Sequence, residues 1–75
     1  MQLNAIIEKD EHGYFAYVPE LKGCFSQGNN FEETVSNIRE AAELYLESIN
    51  EEEKLSILSK SFFIAPLDIK IANAG

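Results

Sequence analysis

The sequence predicts an α+β fold of two layers, with elements in the order β-β-β-α-β over a single domain, residues 1–75. Short apolar or aromatic stretches near the N-terminus, separated by glycine-containing turns, are typical of strands. One longer stretch places apolar residues at spacings of three and four, which indicates an amphipathic helix. The last stretch alternates again. Seventy-five residues leave no room for a second domain.

The N-terminal half predicts three strands. Met1–Lys9 alternates apolar and polar residues, although Ile6 breaks the pattern and indicates that the second face is covered there. A polar, glycine-containing turn then leads into Tyr14–Val18, so the first two strands form a hairpin. Pro19 ends the second strand because proline lacks the N–H that a sheet needs. The third strand is expected at Cys24–Gln27.

The main helix is predicted to run from Phe31 to about Ile49. Asn30 and Glu33 have the spacing of a capping box, in which each side chain accepts from the other residue's backbone N–H. The predicted buried stripe follows the spacings of four and three and consists of Phe31, Val35, Ile38, Ala42, Tyr45 and Ile49.

Asn50 and Glu53 repeat this cap spacing. Three carboxylates, at 51–53, would oppose the dipole at a helix C-terminus but stabilise an N-terminus. We therefore predict a break near Asn50 and a short second helix to about Leu58, with Leu55 and Leu58 facing inward. One continuous helix is the alternative.

The last predicted element is a strand at Phe62–Ala72. Its apolar residues of one parity are Phe63, Ala65, Leu67, Ile69 and Ile71. Pro66 fits a bulge or a crossover. A strand–helix–strand connection within one sheet is right-handed and lays the helix on one face of that sheet.

Charge and composition limit the classes of function. Six basic against thirteen acidic residues give a net charge of −7, which disfavours direct binding of nucleic acid. A basic protein partner complements this charge, although the acidity also fits mere solubility. One cysteine permits no internal disulfide, and no apolar run is long enough for a membrane span, so a cytoplasmic protein is expected.

No catalytic, metal or cofactor site is predicted, so we expect the protein not to be an enzyme. Glu8, Asp10 and Glu20 are predicted at strand ends or in turns, without a paired acid on the same strand face. Asp68 is isolated on the last strand. His12 is interpreted as a solvated turn residue. Cys24 has no neighbouring base, which favours a structural thiol.

A protein-binding surface is predicted on the sheet face opposite the helix. The small side chains of Ala16 and Val18 are assigned to the core, which places the rings of Phe15 and Tyr17 on the uncovered face. The candidate residues for partner binding or self-association are Phe15, Tyr17, Glu20 and Phe25. Packing of a homodimer or higher homo-oligomer is an alternative use of the same aromatic residues.

The central part of the chain contains a set of short motifs rich in glycine, proline and acidic residues: Gly13-Tyr14-Phe15-Ala16, Val18-Pro19-Glu20-Leu21-Lys22-Gly23-Cys24, Ser26-Gln27-Gly28-Asn29-Asn30, Glu33, Asn37-Ile38 and Glu40-Ala41. In these motifs the chain resembles the HicB antitoxin family. Thr34 stands where the family often has alanine, and Asn30 where it often has threonine. The resemblance covers roughly half of the chain without a gap.

This resemblance implies a partial ribonuclease-H-like fold with the fourth strand beside the first. It also implies an antitoxin that binds and covers a small basic ribonuclease toxin of the HicA type. Longer members carry a C-terminal DNA-binding domain, which is not expected here because the chain ends at Gly75 after the last predicted strand. An orphan homo-oligomeric module of the same fold is a second hypothesis, and a metal-dependent nuclease a third.

Overall fold

Three antiparallel strands and two helices form the protein in a computed structural model that describes residues 1–72. The strands are β1 (Ile6–Asp10), β2 (Gly13–Tyr17) and β3 (Phe25–Gly28), in the sheet order β1-β2-β3. The helices are α1 (Phe31–Ser48) and α2 (Glu51–Leu58). The α+β class is therefore confirmed, and α1 lies against β2 and β3.

The first strand is shorter than predicted. It begins at Ile6, so residues 1–5 lie outside the sheet. Ile7 pairs with Ala16 in the register of the hairpin and packs against the core. Residues 1–5 continue along α1 rather than along β2, because the second strand ends at Tyr17, the partner of Ile6. The second and third strands agree with their predicted positions to within one residue.

The connection between β2 and β3 contributes the largest apolar side chain of the core. Leu21 is 1% exposed. Its backbone N–H donates to the Val18 carbonyl at 3.0 Å, and its carbonyl accepts from the Cys24 N–H at 3.0 Å. A positive φ of 80° at Gly23 completes this tight turn. The loop therefore folds inward and closes the end of the core.

The core lies between the sheet and α1. Its buried apolar residues are Ala16, Val18, Leu21, Cys24 and Ile38. The predicted side of β2 is thus confirmed, because Ala16 and Val18 face the helix. The predicted stripe of α1 is wrong at its first position, since Phe31 is exposed and Thr34 is fully buried.

Thr34 can be buried because its polar groups are satisfied and because β3 gives it room. Its hydroxyl donates to the Asn30 carbonyl at 2.7 Å. A Cβ atom on Gly28 would lie 2.6 Å from the Thr34 Oγ1 and 2.9 Å from the Thr34 backbone nitrogen. The absence of a side chain at Gly28 is therefore what allows the start of α1 to approach the strand.

Both predicted helix starts are confirmed. The Asn30 Oδ1 accepts from the Glu33 N–H at 2.8 Å, and the Asn50 Oδ1 accepts from the Glu53 N–H at 2.8 Å. The Glu33 carboxylate bonds to the N–H of Asn29 rather than that of Asn30, at 3.3 Å. The extended backbone of Ile49 and Asn50 separates the two helices, so the alternative of one continuous helix is excluded.

The predicted inner face of α2 is wrong. Leu55 and Leu58 are exposed, and Ile57 is the residue of this helix that packs against the core. Each residue of a helix is rotated by about 100° from the one before it, so Ile57 points to a different side of α2 from Leu55 and Leu58. Ile57 is the apolar residue through which this helix reaches the core.

The predicted strand at Phe62–Ala72 is not formed. Residues 60–72 have neither helical nor strand hydrogen bonding, apart from a turn at Ala72, and each of them is exposed. Phe63 is 89% exposed and Ile64 84%. We call residues 59–72 the tail and residues 1–58 the body. A strand beside β1, which the resemblance implied, is absent from the described residues.

Candidate protein-binding surface

Three aromatic side chains lie together on the sheet face that α1 leaves uncovered. Tyr17 pairs with Phe25, and Phe15 pairs with Gln27 across the same two strands, so all of these side chains share one face. The Phe15 ring lies 5.8 Å from the Phe25 ring and 6.3 Å from the Tyr17 ring, centroid to centroid. We call Phe15, Tyr17 and Phe25 the aromatic face.

The exposure of the aromatic face is uneven. Phe25 is 63% exposed, Phe15 is 38% exposed, and Tyr17 is half-buried. Beside them lies a shallow depression of about 360 Å³, which Pro19 and Lys22 help to line. Stacked rings that remain open to solvent at the middle of a sheet provide a preformed apolar contact surface.

Ile6 also lies on this face and was not among the predicted contact residues. It pairs with Tyr17 across β1 and β2 and is half-buried. The break in the alternation of the first stretch was the sequence signal for it. Glu8 pairs with Phe15 and is exposed, so one carboxylate lies directly beside the rings.

Glu20, a predicted contact residue, forms hydrogen bonds within the chain. Its Oε2 accepts from the backbone N–H and from the side-chain amide of Asn4, at 3.0 Å in each case. Its Oε1 is buried and accepts no hydrogen bond from the described residues. Glu20 therefore fastens the N-terminal segment to the loop after β2, and its contact with a partner stays a prediction.

Cys24 is buried beneath the loop, and burial raises the pKa of its thiol. A thiol that resists ionisation is a poor nucleophile, so the interpretation as a structural residue fits its surroundings. His12 is exposed on the β1–β2 turn, with its Nε2 3.4 Å from the Glu11 Oε1, also exposed. Across residues 1–72, no three His, Cys, Asp or Glu side chains converge as metal ligands would.

A second apolar surface lies at the opposite side of the body, between residues 1–5 and α1. It is a groove of about 450 Å³. The apolar side chains that line it include Leu3, Ala5, Val18, Val35, Ala42 and Leu46. Sequence reasoning missed this groove, because it exists where residues 1–5 leave the sheet. Neither helix of the described chain is long and apolar enough to cross a membrane.

Comparison with known proteins gives one family. The profile of the HicB-like antitoxins of bacterial toxin–antitoxin systems matches residues 3–66. A UPF0150 protein of Helicobacter pylori is 53% identical over 72 residues, which are 96% of this chain and 100% of the relative. A UPF0150 protein of Synechocystis is 43% identical over 67 residues, covering 88% of this chain and 84% of the relative. No solved structure matches.

Proposed function

Because the chain belongs to the HicB-like antitoxin family of bacterial toxin–antitoxin systems, we propose that it binds and neutralises a small basic toxin of the HicA type. Neutralisation would occur by protein contact that covers the catalytic residue of the toxin. The observation that carries this proposal beyond the family is the aromatic face. Its partner is expected to be basic because this chain has a net charge of −7.

The aromatic face has the composition of a binding hot spot. Aromatic side chains dominate the energy of many protein interfaces, and truncation of such a residue often costs about 2 kcal/mol or more. Phe15 and Phe25 stack on each other, so their rings are held in place before a partner arrives. Preorganisation lowers the entropy that binding must overcome. The carboxylate of Glu8 beside Phe15 adds attraction for a basic partner.

The test is inhibition of the toxin's RNA cleavage by purified variants of this chain. The toxin would be the small basic protein from the reading frame adjacent to the gene. Phe15→Ala, Tyr17→Ala and Phe25→Ala are expected to weaken binding roughly 10- to 30-fold. Phe31→Ala is the matched control, because Phe31 is an exposed ring at the start of α1, outside the aromatic face, and its exposure of 51% lies between those of Phe15 and Phe25. Thermal melting verifies that each variant is folded.

Two results would contradict the proposal. A loss of inhibition in Phe31→Ala as large as in Phe25→Ala would show that the aromatic face is not the contact. Unchanged affinity of all three aromatic variants, together with a large drop in melting temperature, would limit these rings to a structural role. Glu20→Gln is a further variant, and its effect on inhibition separates partner contact from the fastening of Asn4.

The proposal includes the absence of nuclease activity in this chain itself. RNA, DNA and RNA–DNA hybrids, each with magnesium or manganese, are expected to remain intact. Metal-dependent cleavage that a single substitution of Glu8 or Asp10 abolishes would overturn the proposal and favour an enzyme. Direct binding of nucleic acid is likewise not expected, because phosphate contacts need basic side chains.

The second candidate is a homo-oligomeric module of the same fold without a toxin partner. The observation that favours it is the tail, whose apolar side chains are exposed in a single chain. Absence of a small basic protein in the adjacent reading frame would support this candidate. The finer fold that we propose is the partial ribonuclease-H-like sheet of the family resemblance, and a solved structure of the assembled protein is its test.

A further inference from the structure

We propose that two copies of this chain exchange their tails, so that residues 62–71 of each copy form a strand against β1 and the groove of the other copy. This interface is distinct from the aromatic face. Its proposed occupant is a second copy of the chain, which would supply both the donated tail and the receiving groove.

The tail has the pattern of a strand but has no partner within its own body. Its apolar side chains of one parity, Phe63, Leu67, Ile69 and Ile71, are 89%, 76%, 72% and 70% exposed. Burial of large apolar side chains is favourable because it removes apolar surface from water. An extended segment with four such residues on one face is therefore expected to be covered in the functional assembly.

The receiving surface combines an open sheet edge with an apolar groove. β1 pairs with β2 on one side, and no other strand pairs with it among residues 1–72. The opposite edge of the sheet is partly blocked, because the Asn37 side chain of α1 donates to the Gln27 carbonyl at 2.8 Å. Residues 1–5 line the groove and directly precede β1 in the chain, so the groove and the open edge adjoin.

The sizes of the two surfaces agree. The alternating part of the tail has ten residues and spans about 33 Å when extended. The receiving segment has the same length, because residues 1–5 line the groove and Ile6–Asp10 form β1. A strand that adds to an exposed edge gains backbone hydrogen bonds, while alternate side chains enter apolar pockets. The apolar parity of the tail would face the groove.

The position of α2 favours exchange between copies over folding back. This helix is capped at both ends and contacts the core through Ile57. The tail follows this helix directly, and the chain extends 51 Å in one direction but 29 and 17 Å in the others. None of the tail residues lines the groove of its own body. A second copy can supply the groove without unfolding of α2.

Charge and symmetry support the same occupant. Residues 59–75 carry a net charge of +1, whereas the rest of the chain carries −8. The tail is thus the part of the chain with the sign that the body attracts. Exchange about a two-fold axis uses both tails and both grooves, so the dimer closes and leaves no unpaired copy of either surface.

The decisive measurement is nuclear Overhauser contact between copies in a mixed sample. One copy would carry labelled methyl groups on leucine and isoleucine, and the other would be unlabelled. We expect contacts from Leu67 and Ile69 of the labelled copy to Leu3 and Val35 of the other. Contacts within one copy would overturn the exchange, and contacts between two tails would overturn the groove as the receiver.

A pair of tail variants tests the side of the tail that is buried. Ile69→Asp and Lys70→Ala each lower the net charge by one, but they lie on opposite parities. We expect Ile69→Asp to weaken self-association at least about tenfold in sedimentation equilibrium. Lys70→Ala is expected to change it by less than about twofold, because exposed charges contribute little. Equal effects of the two variants, or no effect of Ile69→Asp, would overturn the proposal.

Both variants should fold, since Ile69 and Lys70 are exposed in the single chain. Far-ultraviolet circular dichroism and melting at high dilution verify this. Toxin inhibition is a separate readout that distinguishes this proposal from the proposed function. Phe25→Ala should lose inhibition but still self-associate. Ile69→Asp should lose self-association, with a smaller effect on inhibition.

Discussion

The strand β2 and the tail have similar sequence patterns but opposite surroundings. In β2, Ala16 is completely buried and Phe15 lies on the other face, and in the tail every residue of either parity is exposed. The difference is not propensity, since the tail is rich in isoleucine and phenylalanine. β2 lies between two neighbouring strands, whereas the tail follows a helix and pairs with no strand among residues 1–72. Alternation thus identifies a segment able to form a strand, and topology decides whether it finds a partner.

The largest expected difference between these regions concerns one leucine in each. Leu21→Ala should lower the free energy of unfolding by about 2–5 kcal/mol, because it removes a fully buried side chain. Leu67→Ala should change the stability of the single chain little, since Leu67 is exposed there. The free energy of unfolding of both variants is measured by urea unfolding over a range of protein concentrations.

The dependence on concentration is the control for this pair. The Leu67→Ala effect should appear only at concentrations where the chain self-associates, whereas the Leu21→Ala effect should be the same at all of them. A large loss of stability in Leu67→Ala at high dilution would mean that the tail packs on its own body.

Removal of the two helix caps is expected to give a smaller difference in stability. Asn30→Ala should destabilise the protein by about 1 kcal/mol, because the cap starts a helix that packs on the sheet. Asn50→Ala removes a hydrogen bond of the same length, but Ile57 is the one apolar residue of α2 that packs against the core. Its melting temperature should therefore change less, and hydrogen exchange within α2 should accelerate. Equal melting temperatures of the two variants would contradict this separation.

The smallest expected effect is the pH dependence from Cys24. Burial raises the pKa of its thiol above the ordinary value of 9.0, so the folded protein holds the proton more tightly than the unfolded chain. This contribution to stability is complete below pH 9.0 and is lost as the pH rises through the folded-state pKa. Urea unfolding of the wild type between pH 8 and pH 10, compared with Cys24→Ala, isolates it. A slope as steep in Cys24→Ala as in the wild type would assign the effect to other groups.

Local signals predicted much of the body correctly. The helix break at Asn50 follows from three carboxylates that stabilise a helix start, and the structure has that break. The side of β2 that faces the helix follows from the small volumes of Ala16 and Val18. Both inferences depend on neighbouring residues in the sequence, which is why they hold.

The errors concern contacts between distant residues. Thr34 was passed over in favour of Phe31, because its burial depends on space left by Gly28 in another element. Ile57, rather than Leu55 or Leu58, is the inward residue of α2, because packing against the core decides how this helix is rotated. The groove and the unpaired tail depend on where residues 1–5 and the tail leave the sheet and the helix. No local residue pattern signals these positions.

The aromatic face was partly predictable. Phe15 and Tyr17 were assigned to it from the parity of one strand, and the structure places Phe25 against Phe15. Ile6 requires the register between β1 and β2, which pairs it with Tyr17. The bond from Asn4 to Glu20 joins residues that are sixteen positions apart, so no local pattern signals it, and the contact of Glu20 with a partner stays a prediction.

The close approach of Gly28 to Thr34 also determines which alignment of β3 is allowed. If β3 moved by one residue along β2, a side chain from Gln27 or Asn29 would occupy a position where even one added carbon atom would lie 2.6 Å from the Thr34 hydroxyl. Such a slip would also turn Phe25 toward the helix and Cys24 toward solvent. The glycine beneath the first turn of α1 therefore fixes the register of β3, because every register shifted by one residue produces a steric clash with Thr34.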